Sequence, residues 1–280
     1  MMIYKSIFLI CLFVFTCRCD DTRDFKNTKD HVVTNFKKPE NETKFEEFTF
    51  VQAADPQFGL VKFWQTMKPD GSGEQDNWDV EKASLAAAVK EWNDLKPKPE
   101  FVVINGDLAN AFPNTNQTDF RVKQLKDLKA ELNKLDKSIP LILMPGNHDI
   151  FDTPTAESIK KYNDEFGDDY FVFYVKNVMF IVPNTEYFYN SSLNIKAAEE
   201  QDKWLDERLN EAKNGNFSHV ISLQHYPFYI EKIDEPTDTN NSWVSFVIIF
   251  SLFLFNKLYL NFFYLKQNRE EFQLKRQKVF

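Results

Sequence analysis

Polar side chains that can bind metals or move protons follow four apolar segments of the chain. The most distinctive set is Gly146-Asn147-His148-Asp149, in which a glycine that frees the backbone precedes three such side chains. Carboxylate, amide and imidazole groups at the carboxyl ends of strands are typical of a metal site in an α/β protein. The other candidates also follow apolar runs: Asp55, Gln57, Asp107 and His225.

Each of these residues has an ordinary structural explanation when it is considered alone. An aspartate after a strand, such as Asp55, usually caps a turn or a helix, and Gln57 would then face solvent. Gly106-Asp107 is a common turn pair, and a lone histidine such as His225 is more often structural. Their shared position at strand ends, in one chain with the more specific Gly146-Asn147-His148-Asp149, favours a functional site.

Hydrolysis of a phosphate ester is a reaction that needs such a set of side chains. It requires a nucleophile at neutral pH and neutralisation of charge on the phosphoryl oxygens. Two divalent ions about 4 Å apart supply both. Mixed oxygen and nitrogen ligands suit Mn, Fe or Zn better than Ca. A histidine that is not a ligand, lying beside the metals, can protonate the leaving oxygen.

Apolar runs that alternate with helical periods predict the elements that position these residues. Strands alternating with helices indicate the α/β class, with a parallel or mixed sheet covered by helices. The runs that end at the candidate ligands predict strands at 48–54, 101–105, 139–145 and 219–224. The remaining patterns predict a hairpin at 170–175 and 178–182, a loop at 62–79 and helices at 81–95, 117–135, 154–166 and 197–212.

The composition limits the class of protein. A chain of 280 residues with 27% charged residues indicates one globular domain with extensions. A net charge of −8 argues against a nucleic-acid scaffold role, but it is compatible with a phosphorylated substrate because bound metal ions reverse the local field.

The N-terminal segment predicts entry into the secretory pathway. Residues 1–19 have a lysine, an apolar stretch and small residues near a cleavage position, which is typical of a signal peptide. Residues 20–47 are polar and predict a leader before the domain. Asn-x-Ser/Thr sequons, which are compatible with glycosylation in a secreted protein, begin at Asn41, Asn116, Asn190, Asn216 and Asn240.

The C-terminal segment has a different composition. Residues 243–280 contain no Gly, Ala, Pro or Asp. One interpretation is read-through into non-coding sequence or a mis-predicted gene end. The alternative is a single-pass membrane anchor at 243–265, followed by a basic tail on the cytosolic side. Both interpretations leave an incomplete domain at 48–242.

The strand-end motifs together resemble those of the calcineurin-like metallophosphoesterases. The stretches 51–60, 167–171 and 201–206 are similar to the calcineurin-like phosphoesterase domain-containing protein 1 group. The resemblance covers about 48–234 and implies a four-layer α/β/β/α sandwich. It also implies truncation at the C-terminal side, because the Gly-His-x-His motif that closes the family's site is missing from this sequence.

The resemblance implies a metal-binding role for five of the candidates. Asp55 would bind the first metal, with Gln57 beside it where most of the superfamily has a histidine. Asp107 would bridge both metals. Asn147 and His225 would bind the second metal.

The resemblance also implies catalytic roles for the two residues that follow Asn147. His148 would be the proton donor. Many members place an acidic residue three positions after the bridging aspartate to orient that histidine, and this chain has Asn110 there. We expect Asp149 to substitute for it.

The implied activity is that of a phosphomonoesterase with a binuclear metal centre and a metal-bound hydroxide. Its substrate would be a phosphorylated small molecule or phosphoserine and phosphothreonine in proteins. A nucleotide phosphodiesterase would use the same chemistry. The alternative from a different class is a truncated or membrane-anchored pseudoenzyme that acts by binding. Because the closing motif is missing, we expect the chain as written to have low activity.

Overall fold

A computed structural model describes residues 23–39, 46–227, 260–268 and 271–279, and the last two segments are described as backbone. The strands are β1 (Thr28–Lys29), β2 (Val32–Val33), β3 (Val51–Ala53), β4 (Val102–Asn105), β5 (Leu141–Met144), β6 (Phe171–Val175), β7 (Val178–Val182), β8 (His219–Ser222), β9 (Leu260–Asn268) and β10 (Glu271–Val279). The helices are α1 (Leu60–Thr66), α2 (Asp79–Asp94), α3 (Thr118–Leu132), α4 (Asn147–Ile150), α5 (Ala156–Phe166), α6 (Glu186–Tyr189) and α7 (Ile195–Asn214).

The first sheet brings three of the predicted strands side by side. Its order is β10-β9-β3-β4-β5, and β3, β4 and β5 are parallel. The register pairs Ala53 with Ile104, and Ile104 with Leu143. Because these strands run in one direction, the loops after Ala53, Asn105 and Met144 leave the sheet at the same edge.

The second sheet has the order β1-β2-β6-β7-β8. Strands β6 and β7 form the predicted antiparallel hairpin, which pairs Phe173 with Phe180. Strand β8 then lies parallel to β7, with Ile221 opposite Phe180. The parallel pairing requires a crossover, and α7 provides it.

An aromatic core fills the space between the two sheets. The rings of Phe173 and Phe180 stack 4.6 Å apart, and Phe101 meets Phe180 edge-on at 5.2 Å. On β4, Val103 faces this core, whereas Val102 packs in the cluster formed with α2 and α3. Helix α7 packs on the outer face of the second sheet. The described residues therefore confirm the predicted α/β/β/α layering.

The main helices and strands lie within a few residues of their predicted positions, but α1 occupies a segment that was predicted as a loop. Its first residues are held by a distant side chain. Oε1 of Glu81 accepts hydrogen bonds from the backbone N–H groups of Gly59 at 3.2 Å and Val61 at 2.8 Å. A cap supplied from another helix leaves no local signal in the sequence.

Part of the predicted polar leader packs against the domain. The guanidinium of Arg23 donates to the backbone carbonyls of Leu135 and Ile139, both at 3.0 Å. Strand β2 extends the second sheet by pairing Val32 with Val172. These contacts are hydrogen bonds to backbone groups, and they need no periodic pattern of apolar residues in the leader. The composition of the leader therefore did not predict that it packs against the domain.

Most of the remaining terminal predictions lie outside the described residues. The predicted signal peptide at 1–19 is outside them, as are residues 243–259 of the predicted tail. Strands β9 and β10 pair with each other in antiparallel fashion, and β9 pairs in parallel with β3 at Val51 and Gln52. In the described part of the chain, no helix has the length and apolar character needed to cross a membrane.

Candidate metal centre

The predicted strand-end residues converge where the carboxyl ends of the two sheets meet. A carboxylate oxygen from each of Asp55 and Asp107 and a ring nitrogen of His225 all lie within 4.8 Å of one another. Oδ1 of Asp107 is 3.5 Å from Nε2 of His225. The aspartates follow neighbouring strands of the first sheet, and His225 follows β8 of the second.

The backbone beside these residues adopts conformations that favour glycine. Asp55, Gln57 and Asp107 have φ angles of 52°, 35° and 53°. Two hydrogen bonds join the loops that carry them: the Asp55 amide donates to the Gly106 carbonyl at 3.1 Å, and the Gln57 amide donates to the Asp107 carbonyl at 2.9 Å. Left-handed backbone at non-glycine residues is uncommon and clusters at functional sites.

Two glycines allow the loops to approach each other closely. A Cβ atom on Gly146 would lie 2.6 Å from both the Asp107 amide nitrogen and Cε1 of His225. A Cβ atom on Gly106 would lie 2.5 Å from the Gly146 amide nitrogen. The glycines of both motifs are therefore required by contact between the loops, in addition to backbone freedom.

Three acceptor atoms face one another at the centre of the cluster. Nδ1 of His225 lies 2.8 Å from the Asn105 carbonyl and must donate to it, because a carbonyl oxygen only accepts. Nε2 of the neutral ring is then an acceptor, and it lies 3.2 Å from Oδ1 of Asn147 and 3.5 Å from Oδ1 of Asp107. When the ring is in this neutral form, the three lone pairs converge on a position that a cation can occupy.

The electrostatics of the cluster also favour a cation at its centre. Burial by itself lowers the pKa of His225, but the carboxylates of Asp107, Glu186 and Asp55 outweigh it and raise that pKa to about 9. The carboxyl of Glu186 is completely buried, and neither of its oxygens has a hydrogen-bond partner. Burial raises the pKa of Glu186 to about 8. The carboxylates therefore favour a positive charge at the centre of the site, which a proton on His225 carries in the metal-free chain and a bound cation could replace.

His148 is held in one orientation beside the cluster. Its amide donates to Oδ1 of Asp107 at 2.9 Å, and its Nδ1 donates to the Asn110 carbonyl at 2.7 Å. The ring also stacks on Phe112, with the centroids 4.3 Å apart. The donating Nδ1 fixes the tautomer and leaves Nε2 available to a ligand.

Asp149 does not orient His148 as we expected. Its carboxylate accepts from the amides of Leu108 and Gly146, at 3.2 and 3.1 Å, and from Nη2 of Arg121 at 3.2 Å. Burial raises the pKa of Asp149, Arg121 opposes that rise and Asp107 adds to it. The carbonyl of Asn110 takes the orienting position, and Asp149 instead joins the two ligand-bearing loops.

Gln57 lies at the margin of the cluster. Its side chain is 7% exposed, and Nε2 lies 3.5 Å from Oδ1 of Asn110, at the upper limit for a hydrogen bond. Nδ2 of Asn110 donates in turn to Oε1 of Gln75 at 3.0 Å. An amide held this weakly can offer its oxygen to a metal, which fits the position implied for it.

The residues present fit a divalent metal centre. Asp55, Asp107 and His225 supply two carboxylates and an imidazole, and Asn147 and Gln57 add neutral oxygens. This donor set suits Mn, Fe or Zn. The hydrogen bond from Nδ1 of His225 to a backbone carbonyl is the usual support for a metal-binding histidine.

Two buried residues of the site were missed from the sequence. Glu186 follows β7 by four residues, so the strand-end criterion that found the other ligands would have found it as well. Arg121 lies on α3, and its Nη1 donates to the carbonyls of Ala111 and His148 at 2.9 and 3.1 Å. An arginine on a helix gives no local sign that it is buried beside a site.

The fold and the site agree with the family that the sequence resembles. The sequence model of the calcineurin-like phosphoesterase family matches residues 48–252. This chain therefore belongs to that family.

The chain is similar to relatives named as protein phosphatases. It is 44% identical over 191 residues to the serine/threonine-protein phosphatase CPPED1 of Homo sapiens. The aligned segment covers 68% of this chain and 59% of that protein. It is 38% identical over 221 residues to the protein of that name from Danio rerio, which covers 79% and 70%. The chain thus spans about three fifths of the length of the human relative.

Two more distant proteins are also similar. One is the probable glycerophosphodiester phosphodiesterase GpdQ of Arcobacter nitrofigilis, at 28% identity over 58% of this chain and 54% of that protein. The other is a solved structure, the purple acid phosphatase PPD1 from yellow lupin, with a TM-score of 0.44 and 15% identity. The superposition covers 68% of this chain and 32% of that one.

Proposed function

We propose that this chain is a metal-dependent phosphoric ester hydrolase that acts as a phosphomonoesterase, with phosphoserine or phosphothreonine in proteins as the substrate class. The observation that carries this proposal is the convergence of His225 Nε2, Asp107 Oδ1 and Asn147 Oδ1, three atoms that can bind one cation when His225 is neutral. Similarity to relatives named as serine/threonine-protein phosphatases supports the choice of substrate.

A pair of divalent ions, when bound, would activate water and neutralise the phosphoryl oxygens. Asp107, which is central to the cluster, would hold both ions. Asp55 and Gln57 would complete one side of the site, and Asn147 and His225 the other.

His148 would supply the proton that the leaving group takes. As the water oxygen bonds to phosphorus and the ester P–O bond breaks, the leaving oxygen needs a proton. The doubly protonated ring of His148 would give it from Nε2 and would return to the neutral form with its remaining proton on Nδ1. The Asn110 carbonyl and the stacked Phe112 ring hold the imidazole in the orientation this requires.

Metal binding is the first test of the proposal. We expect the full chain, incubated with Mn²⁺ and desalted, to retain two equivalents of metal and to hydrolyse p-nitrophenyl phosphate. Asp107→Asn should lose the metal and reduce turnover by about 100-fold or more. Because this sequence lacks the Gly-His-x-His motif, we expect slow turnover, so metal content is the primary measurement.

A matched control separates this effect from a general loss of charge. Asp164→Asn removes an exposed carboxylate on α5 that pairs with Lys160 and is not part of the cluster. This variant should leave the metal content unchanged. A chain that binds no Mn²⁺, Fe²⁺ or Zn²⁺ and hydrolyses no ester would contradict the proposal. That result would favour the pseudoenzyme that acts by binding.

We also propose that the protein passes through the secretory pathway. The support is the apolar N-terminal segment, together with exposed asparagines in three sequons, Asn116, Asn190 and Asn216. Expression in eukaryotic cells should give a product whose mobility increases on treatment with an N-glycosidase. Retention of the N-terminal segment, with no glycan, would contradict this proposal.

A further inference from the structure

Aromatic rings pack against two histidines of the candidate metal centre, His148 and His225. On one side, Phe112 stacks on His148 and Phe151 stacks on Phe112, with the latter two rings 5.5 Å apart and inclined by 4°. On the other side, the ring of Tyr226 lies 5.1 Å from that of His225. The aromatic rim, as we call this set, consists of Phe112, Phe151, Tyr189 and Tyr226.

The two sides of the aromatic rim are connected. The Tyr226 hydroxyl donates to Oδ1 of Asp152 at 2.6 Å, and Asp152 directly follows Phe151. Tyr226 also contacts the exposed Tyr189, with the ring centroids 5.4 Å apart. The aromatic rim therefore runs from His148, the proposed proton donor, to the metal-binding residue His225.

Phe151 occupies a backbone conformation that is rare for a residue with a side chain. Its φ of 72° and ψ of 155° fall in a region that is almost restricted to glycine. The amide of Phe151 donates to the Asn147 carbonyl at 2.7 Å, which ties this conformation to the Asn147 loop. The side chain is only half-buried. An unfavourable backbone that holds a partly exposed ring beside a site indicates a functional role for the ring.

We propose that the aromatic rim selects phosphate esters that present an aromatic or apolar group beside the phosphorylated oxygen, which in a phosphoprotein is an apolar side chain next to the phosphoserine or phosphothreonine; this proposal rests on the proposed function. The phosphoryl group would lie at the metal cluster. His148 must reach the leaving oxygen, so the leaving group must lie beside His148, where Phe112 and Phe151 form the wall. A planar or apolar group stacks on such a wall, whereas a polyhydroxyl group loses water there without forming new hydrogen bonds.

A pair of non-hydrolysable ligands tests whether the aromatic rim binds the group beside the phosphoryl group. Phenylphosphonate and methylphosphonate share the phosphonate group and differ in the ring. We expect the Mn²⁺-loaded wild-type chain to bind phenylphosphonate roughly 3- to 10-fold more tightly in calorimetry, the gain typical of one aromatic stack. Phe151→Gly should reduce that preference to about 1 through loss of phenylphosphonate affinity, with methylphosphonate affinity retained.

The choice of glycine keeps the test independent of folding. Because glycine favours the conformation of Phe151, the variant should melt at or above the wild-type temperature. Leu193→Ala, which removes an exposed apolar side chain elsewhere, should keep the full preference for phenylphosphonate. The ratio of kcat/KM values for p-nitrophenyl phosphate and glycerol 2-phosphate should change in parallel with the binding preference.

The outcomes separate this proposal from the proposed function. A preference that persists in Phe151→Gly, or equal weakening of both phosphonates, would overturn the role of the aromatic rim while leaving the hydrolase intact. Failure of the metal-loaded wild-type chain to bind either phosphonate would overturn the proposed function, and the role of the aromatic rim with it.

Discussion

Nη2 of Arg121 lies 3.2 Å from Oδ1 of Asp149, and the two side chains are only 3% and 0% exposed. Arg121 also donates to the carbonyls of Ala111 and His148, while Asp149 accepts from the amides of Leu108 and Gly146. This buried pair therefore joins the loop that carries Asp107 to the loop that carries Asn147 and His148. The pair therefore holds in place the loops that carry candidate metal ligands and the proposed proton donor.

Removal of Arg121 should be strongly destabilising. Arg121→Met leaves the Asp149 carboxylate buried without its cation and should lower the free energy of unfolding by about 3–5 kcal/mol, measured by urea denaturation. Lys160→Met, which breaks an exposed pair with Asp164, should leave it nearly unchanged. Equal effects in the two variants would mean that the buried pair has no special structural role.

The close contact of the two loops predicts that Gly146 cannot carry a side chain. Gly146→Ala would place a methyl group against Asp107 and His225, so the ligands must move apart. We expect Mn²⁺ affinity to fall by about 10-fold or more, as measured by competition with a fluorescent chelator. Gly71→Asn is the control, because that glycine has open space around it and asparagine tolerates its φ of 80°. Unchanged affinity in Gly146→Ala would show that the loops adapt.

The two histidines of the site should separate metal binding from proton transfer. His225→Asn should reduce both metal content and turnover, since His225 faces Asp107 and Asn147. His148→Asn should retain the metal and reduce kcat by roughly 10²- to 10⁴-fold. The measurements are metal content by elemental analysis and kcat with p-nitrophenyl phosphate. Loss of metal in both variants would make His148 a ligand instead.

Bound metal should stabilise the fold, and its removal should reverse the effect. If Mn²⁺ is present at 100 times its Kd, the free energy of unfolding should rise by about 2.7 kcal/mol, because the ion binds only the folded chain. EDTA should return the melting temperature to that of the untreated protein. In Asp107→Asn the ion should have no effect on melting, and a rise similar to that of the wild type would place the metal elsewhere.

Glu186 predicts how stability depends on pH. Burial raises its folded pKa to about 8 from an ordinary 4.5, with His225 opposing that rise and Asp107 and Asp149 adding to it. Between these two pH values the folded state binds more protons than the unfolded state, so this group lowers stability as pH rises. Glu186→Gln cannot ionise. In EDTA it should melt above the wild type by roughly 3–6 °C at pH 8 and by less at pH 5.

A surface variant provides the reference for that comparison. Glu157→Gln changes an exposed carboxylate in the first turn of α5 and should follow the wild type at both pH values. If Glu186→Gln instead differs from the wild type by the same amount at pH 5 and pH 8, the carboxyl is not held neutral in the folded chain.

The positions of the strands along the chain and the candidate ligands that follow them could be predicted because their signals are local. Apolar runs mark β3, β4, β5 and β8, and the polar residue after each run marks a strand end. The family resemblance then gave each residue a role. The expectation that Asp149 orients the His148 ring was not met, because residues adjacent in sequence on a short helix point in different directions.

By itself, the sequence determined the α/β class and the set of candidate metal ligands, because burial on both faces of a strand and ligand chemistry depend on residue type. Only the tertiary structure decided the remaining features, which depend on residues that are far apart in the chain. Arg121 meets Asp149, Glu81 caps α1 and Phe112 lies between His148 and Phe151. Such contacts are set by how the loops pack at the sheet edge, and no local pattern records that packing.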